Sequence, residues 1–582
     1  MARCRLLDAP RRAEAQQVIS LFLICCSVLA PNAGGNAPHR TNDAARISKV
    51  EKLYGEKQWE DAARAAQGPP DQSPELDYLA GMSYAHLQRW PEALAAFTSA
   101  HRKAPRDVRF LNEKAGAEYR LNQFAAAKED LRAAWKLRSK DPYTLEFLGT
   151  LYLLEGNLEA ALKYWNKIEQ PHLASVKIEP LPRLHKDLLD RAIAFSPAGT
   201  FHRDDYLRTG AQLQNLGIFP AWRTQLNPEG PKDYAATVRL SENSGWDGSW
   251  MNGALALLRG LPYETVYPEY LNIGNGAANF DSLVRWDDQK RRVAANFSMP
   301  LFRDPARRLR FFFDARNENW NLSQTFFGSS TPLTNLNLRS VAGGIEFHHV
   351  ESGWWAWTLG VEGISRSFQN TGSSLSSAAA PFFTDSGSLE TWTGVQRALV
   401  RYPERRFTLD GSAEGRIGRS FASDLGLFER LSGSLKAHWL PQARGDDYEL
   451  LAELRGADTF GNVPLDQLFQ LGVERDNNLW LRGHAGTTDG RKGRAPLGRR
   501  YFLLNMEFNK ILYNGSFFRV QCGPFLDSGA IADSSGFFGS HEWLWDAGAQ
   551  MKIRVLGSVS VVLSYGWDLR SGTRAFYATT VR

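Results

Sequence analysis

The chain has 582 residues, 23% charged and 43% hydrophobic, a composition of folded protein that excludes disorder as the default. Its formal net charge is +6; the first 33 residues hold four Arg against Asp8 and Glu14, so +4 remains beyond them, too little to point to nucleic acid.

At the N-terminus, Arg3, Arg5, Arg11 and Arg12 precede the apolar run Val18–Ala30 and the small residues Ala33-Gly34-Gly35. Residues 1–33 therefore have the form of a secretory signal peptide, too short for a spanning helix. Cleavage after Ala33 and cleavage after Ala30, which would put Pro31 beside the bond, both stay open. Cys4, Cys25 and Cys26 lie in this segment, so a processed chain keeps Cys522 alone and forms no internal disulfide. Cys25 and Cys26 sit inside the apolar run, which argues against a lipid anchor. No later segment offers about 18 consecutive apolar residues. A secreted chain of this kind must enter a membrane as a closed barrel, because only helices and barrels satisfy their backbone in lipid.

Residues 45–170 repeat with a period of 34. Gly81, Ala115 and Gly149 keep that step, as do Trp90, Phe124 and Leu158; so do Ala93, Ala127 and Ala161, and Phe97, Leu131 and Trp165. Small residues at fixed positions let two helices approach, and the large ones fill the groove beside them. An earlier half-repeat shows in Trp59 and Ala62, with an insertion at Gly68-Pro69-Pro70. The spacing resembles the tetratricopeptide repeat, an all-α array. Its large residues are core, and its concave face is a docking platform for a periplasmic protein partner.

Residues 175–242 read as strand, helix, helix, strand, strand: Ser175–Glu179, Leu184–Ala194, Asp204–Leu216, Phe219–Leu226 and Tyr234–Leu240. Gly199-Thr200-Phe201, Tyr206-Leu207, Leu213 and Leu216-Gly217-Ile218-Phe219 resemble the small α+β POTRA domain. Pro220 cannot donate to a ladder, which makes Phe219–Leu226 an edge strand. An open edge takes up an extended peptide through main-chain hydrogen bonds, so Ala221, Trp222, Arg223, Thr224 and Gln225 are the candidate client-binding residues. Cover by a neighbouring domain is the equal alternative. Residues 245–276, with Trp246, Trp250 and Leu255–Leu258, fit neither helix nor strand period and are read as a connecting or capping segment.

From 277 to 582 the period is two. Leu309, Phe311, Phe313 and Ala315 alternate with Arg310, Asp314 and Arg316; Val341, Gly343, Ile345 and Phe347 repeat the pattern, as do Trp355, Trp357, Leu359 and Val361. The same holds for Tyr448–Leu454 and Val559–Leu569. One face suits lipid and the other a wet lumen. A soluble β-sandwich also alternates, but the signal segment, the frequent large aromatics and the strongly polar second face argue against it. At roughly 20 residues per strand and turn the segment holds on the order of 15 antiparallel strands.

Within it, a strand-like run ends in Leu471-Gly472, a loop carries Leu481-Arg482-Gly483-His484, a strand centres on Glu507, and another reads Phe525-Leu526-Asp527-Ser528-Gly529. This ordered set resembles the signature of the BamA-type superfamily of outer-membrane assembly and secretion proteins, the bacterial surface antigen family. The resemblance covers about 175–582, and Phe297-Ser298-Met299-Pro300 and Gly548 with Arg554 look like an early and a late strand of its barrel. It implies a transmembrane barrel of about 16 strands. It also implies an inward loop locked by Arg482, Gly483 and His484 against Asp527, with His484 standing where an aromatic is usual. A lateral seam follows, in which Phe280, Val284 and Trp286 on the first strand face Phe576, Ala578 and Thr580 on the last. The chain ends Thr580-Val581-Arg582, without the usual final aromatic.

No catalytic constellation is present, and neither a cofactor nor a metal is expected. His348-His349 lacks ligand spacing, and Gly486–Gly493 reads as flexible loop without the Lys-Ser/Thr ending of a phosphate site. The expected function is a non-enzymatic outer-membrane barrel with periplasmic N-terminal domains, which inserts or translocates client polypeptides bearing extended or β segments. Its partners are those clients, a protein on the repeats and outer-membrane lipid. An exopolysaccharide export channel and a non-transporting surface barrel are the alternatives.

Overall fold

The computed structural model describes residues 40–581 apart from 231, 244, 247–252, 255–256, 258, 327–328, 372–379, 423–424, 516, 534–536, 539–542 and 556–558. The signal-like segment 1–33, Trp250, Leu255 and Leu258 lie outside the described residues. The chain divides into two compact units, Met1–Lys177 with Ser196–Arg203 and Thr224–Thr237, and Ile178–Phe195 with Asp204–Arg223 and Val238–Arg582.

In the first unit consecutive helices pack as pairs. Pro74–His86 packs with Trp90–Lys103, Val108–Arg120 with Phe124–Leu137, and Pro142–Leu154 with Leu158–Trp165; Arg40–Gly55 and Trp59–Ala66 precede them. The three later pairs begin 34 residues apart, and each begins on an N-cap at the same place in the repeat: Ser73, Asp107 and Asp141 accept from Glu75 N, Arg109 N and Thr144 N. Ala93, Phe97, Ala127, Leu131, Ala161 and Trp165 are buried between the helices. Gly149 must lack a side chain, since a Cβ there would lie 2.2 Å from the Trp165 ring.

Burial also sets the titration of Glu113, on helix Val108–Arg120. It pushes the carboxyl from the ordinary 4.5 up to about 7. Between those values the folded chain keeps a proton that the unfolded chain releases. Stability from this group is therefore full below the lower value and is lost as pH rises through the upper one, by about 3 kcal/mol at most. Glu113→Gln is expected to flatten that slope. Helical melts of the full chain on either side of the window check it, and equal slopes for the two proteins would discard the assignment.

A small three-stranded sheet follows, of β1 His172–Ile178, β2 Ala221–Pro228 and β3 Asp233–Ser241, in the order β1-β3-β2. β2 is an edge strand and starts two residues later than the sequence reading. Trp222 turns inward, its ring 5.2 Å from Tyr206, and Gly210 leaves it the space. Thr224 is buried, Gln225 is partly covered, and Ala221 and Arg223 are exposed. Helix Arg203–Leu216 ends against the large sheet: Arg308 Nη1 donates to the Asn215 and Leu216 carbonyls at 2.7 Å each, and Asn279 Nδ2 to Leu216 O at 3.0 Å.

The second unit is dominated by one antiparallel sheet. Its strands are β4 Thr265–Val266, β5 Glu269–Ile273, β6 Ala278–Trp286, β7 Lys290–Pro300, β8 Arg307–Phe326, β9 Ser329–Val350, β10 Trp355–Gln369, β11 Ser386–Tyr402, β12 Phe407–Ser420, β13 Leu427–Trp439 and β14 Tyr448–Gly461. Four two-residue strands come next, β15 Phe469–Gln470, β16 Thr487–Thr488, β17 Arg491–Lys492 and β18 Leu497–Gly498. Then follow β19 Arg500–Asn514, β20 Phe518–Ala532, β21 Leu544–Val555, β22 Val559–Asp568 and β23 Arg574–Val581. Sequential strands pair from β5 round to β14, then β19 to β23, and the order curls the sheet into a barrel that brings β23 beside β4.

The polarity of this sheet is inside out. Phe311, Phe313, Val341, Ile345, Leu359, Leu431, Leu435, Phe508, Tyr565 and Phe576 are exposed at alternating positions. Charged groups fill the interior instead. Arg366 and Glu390 are fully buried and paired, with Arg366 Nε also donating to Asp466 at 2.7 Å.

Three sequence readings need correction. Residues 265–273, assigned to the connecting segment, form β4 and β5 of the barrel sheet. Phe280, Val284 and Trp286 therefore do not face the last strand, because β6 pairs on that edge with β5 and β4: Phe280↔Tyr270 and Val284↔Val266. Short, irregular pairing with a register shift left no period-two signal for these strands. The stretch Gly486–Gly493 is likewise no open loop, since β16 and β17 form a hairpin there and Lys492 is buried beside Trp320 of β8.

Candidate functional site

The segment between β15 and β18 lies inside the barrel. Its base is pinched where Phe469 and Gln470 pair with Gly498 and Leu497. Asn477 shapes the turn that follows, donating from Nδ2 to the Gln470 and Gly472 carbonyls at 2.8 Å each and accepting from Leu479 N at 3.1 Å. Leu471 and Leu481 are then buried with Tyr501, Leu503, Ile531 and Leu544. Apolar anchoring of this kind fixes where the polar tip points.

At the tip, Arg482 Nε and Nη2 donate to Asp527 Oδ2 and Oδ1 at 2.8 and 2.6 Å, and its backbone N–H reaches Oδ2 at 3.0 Å. Nη1 donates to Glu507 at 2.7 Å and to Gln550 at 2.9 Å. The guanidinium lies 3.8 Å over the Phe525 ring, and its side chain is 1% exposed against 0% for Asp527. A buried bidentate pair on an aromatic face is the geometry that suits Arg and not Lys. Gly483 N donates to Asp546 at 2.5 Å, and a Cβ on Gly483 would meet Asp546 Oδ1 at 2.7 Å. Gly566 of β22 gives the tip the same clearance: a Cβ there would lie 2.0 Å from the Arg482 carbonyl. His484 sits between Asp546 and Asp568. Among the described residues this His and two Asp form the one group placed to hold a metal ion.

The stem of the loop grips strands beyond the meeting of β23 and β4. Asp476 accepts from Arg285 at 2.7 Å on β6 and from Arg292 at 2.6 Å on β7, and Glu474 accepts from Lys290 at 2.8 Å. Lys492 donates to Glu318 of β8 at 2.7 Å. Between tip and stem the loop spans the meeting of β4 and β23: the Arg475 guanidinium lies 3.4 Å over Tyr263, and the Trp480 ring meets Tyr577 of β23 edge-on at 5.7 Å. Tyr263 itself donates to the Ala578 carbonyl at 3.4 Å.

Neither a protein-family model nor a curated protein sequence matches the chain. Among solved structures it is similar to BamA from Haemophilus ducreyi lacking POTRA domains 1–3, at 10% identity and a TM-score of 0.42, covering 71% of this chain and 84% of that one. It is similar to CdiB from Escherichia coli at 14% identity and 0.46, covering 71% and 77%, and to CdiB from Acinetobacter baumannii at 12% and 0.43, covering 71% and 74%.

The structure joins Arg482 to Asp527, whereas Gly483 and His484 meet Asp546 on the next strand and not Asp527. It places Phe576, Ala578 and Thr580 on β23 at the meeting of the sheet's ends, and Phe280, Val284 and Trp286 one strand pair away. Sequence reasoning missed Glu474, Asp476, Asp546 and Asp568 as site residues. Asp546 and Asp568 were marked only by alternation with apolar neighbours, a pattern shared by every lumen-facing charge. Their meeting depends on cross-strand register, which places Asp527, Asp546 and Asp568 side by side on β20, β21 and β22.

Proposed function

We propose that this chain is an outer-membrane barrel of about 16 strands that inserts or translocates polypeptide clients through the junction of β4 and β23. The observation that carries this reading is the inside-out sheet, with an apolar exterior on alternate residues and an interior spanned by a loop tied to strands on both sides of that junction. Exposed apolar area on this scale is tolerated in lipid and not in water. The helical pairs are tetratricopeptide repeats that dock a periplasmic protein partner. The β1–β3 sheet with its two helices is a POTRA-like domain whose edge strand β2 receives an extended client segment by strand addition. No step in this scheme calls for catalysis or a cofactor.

Depletion of the protein, with outer-membrane and secreted proteomes compared before and after, tests the reading. Broad loss of barrels makes the clients many, and loss of one exported polypeptide makes the protein a dedicated transporter. An intact proteome with a missing surface polysaccharide overturns the proposal in favour of sugar-polymer export.

A further inference from the structure

Three carboxylates stand in one register row inside the barrel: Asp527 pairs across to Asp546, and Asp546 to Asp568. Arg482 compensates the first. The other two have His484 between them, with Nδ1 at 3.1 Å from Asp546 Oδ2 and Nε2 at 3.6 Å from Asp568 Oδ2. One ligand atom from each of the three lies within 4.8 Å of the others, and their side chains are 9%, 0% and 1% exposed. Asp546 Oδ1 is buried and meets no donor. Two buried carboxylates beside a neutral imidazole leave two negative charges, and an imidazolium still leaves one; Arg494 is the further cation near His484.

We propose that His484, Asp546 and Asp568 bind one divalent first-row transition-metal ion, with Zn2+ the probe of choice. One imidazole nitrogen and one oxygen from each carboxylate are the ligand set that such ions take, with water completing a four-coordinate site. The ion cancels both carboxylate charges while the imidazole stays neutral. The surrounding donors already orient the carboxylates: Gly483 N on Asp546, and Arg570 N at 2.9 Å with the Ser571 hydroxyl on Asp568. Bound there, the ion ties the loop tip to β21 and to the end of β22, beside the Arg482 pair and independently of it. This assignment does not depend on what the barrel transports.

The test uses the full chain in detergent, stripped with a chelator and titrated with Zn2+, with metal content measured after gel filtration. The expected result is one Zn2+ per chain at micromolar or lower free metal and an upward shift in melting temperature. Affinity should fall roughly 100-fold or more in His484→Ala and be unchanged in His348→Ala. Failure of the wild-type chain to retain Zn2+, or retention by folded His484→Ala, overturns the site. If His484→Ala does not fold, X-ray absorption of the Zn2+-loaded wild type decides instead: imidazole scattering in a nitrogen and oxygen shell supports the site, and its absence overturns it.

Discussion

Arg482→Ala is expected to destabilise the folded barrel by about 3–5 kcal/mol, because it strips a fully buried Asp527 carboxylate of its cationic partner. Asp527 would keep only two neutral donors, Asn505 Nδ2 at 2.7 Å and the backbone N–H of residue 482 at 3.0 Å, while Glu507 retains Lys552 at 2.6 Å. The reverse change is milder: in Asp527→Ala the guanidinium keeps Glu507, Gln550 and the Phe525 ring, so a cost of about 1–3 kcal/mol is expected. The two substitutions share one interaction, so the double variant should cost less than their sum. Denaturant unfolding of the detergent-folded chain measures all three. Single-variant effects within about 0.5 kcal/mol of wild type would mean that the tip is held by its apolar anchor and not by this pair. Under the proposed function, the same variants should lower client export at unchanged barrel abundance when studied below their unfolding temperature.

Asp476→Ala is expected to cost about the same, about 3–5 kcal/mol, with its effect at the opposite end of the loop. Three cations converge on this carboxylate: Arg285 and Arg292 bond it directly, and Lys492 lies 3.7 Å away. Arg292 and Lys492 have second partners in Asp314 and Glu318. Arg285 is left with the Thr265 hydroxyl at 3.2 Å, so its buried charge bears most of the loss. Arg285 on β6 and Thr265 on β4 are register partners at the start of the sheet, which directs the damage to the β4–β23 junction. Hydrogen exchange should therefore rise in residues 263–286 more than in β10–β14. Uniform exchange across the barrel would show that the stem supports overall stability and not the junction.

Both predictions concern residues whose partners lie far off in sequence, and that separation marks where sequence reading stopped. The period of 34 placed the helical pairs and the positions of Gly149 and Trp165, because a repeat must present the same small and large residues to each neighbour. Period-two alternation likewise located the long strands, since one face of each is apolar and the other polar. Arg482 and Asp527 were legible through an ordered motif.

β4 and β5 were not legible: strands of two and five residues are too short for alternation to register. Asp476, Asp546 and Asp568 look alone like any lumen-facing acid. Local pattern, carried by side-chain alternation within a few residues, determined what each segment is. Which charges meet was decided by strand register and by the path of one loop through the interior, because a buried ion pair is defined by the partner that tertiary structure brings to it and not by its neighbours along the chain.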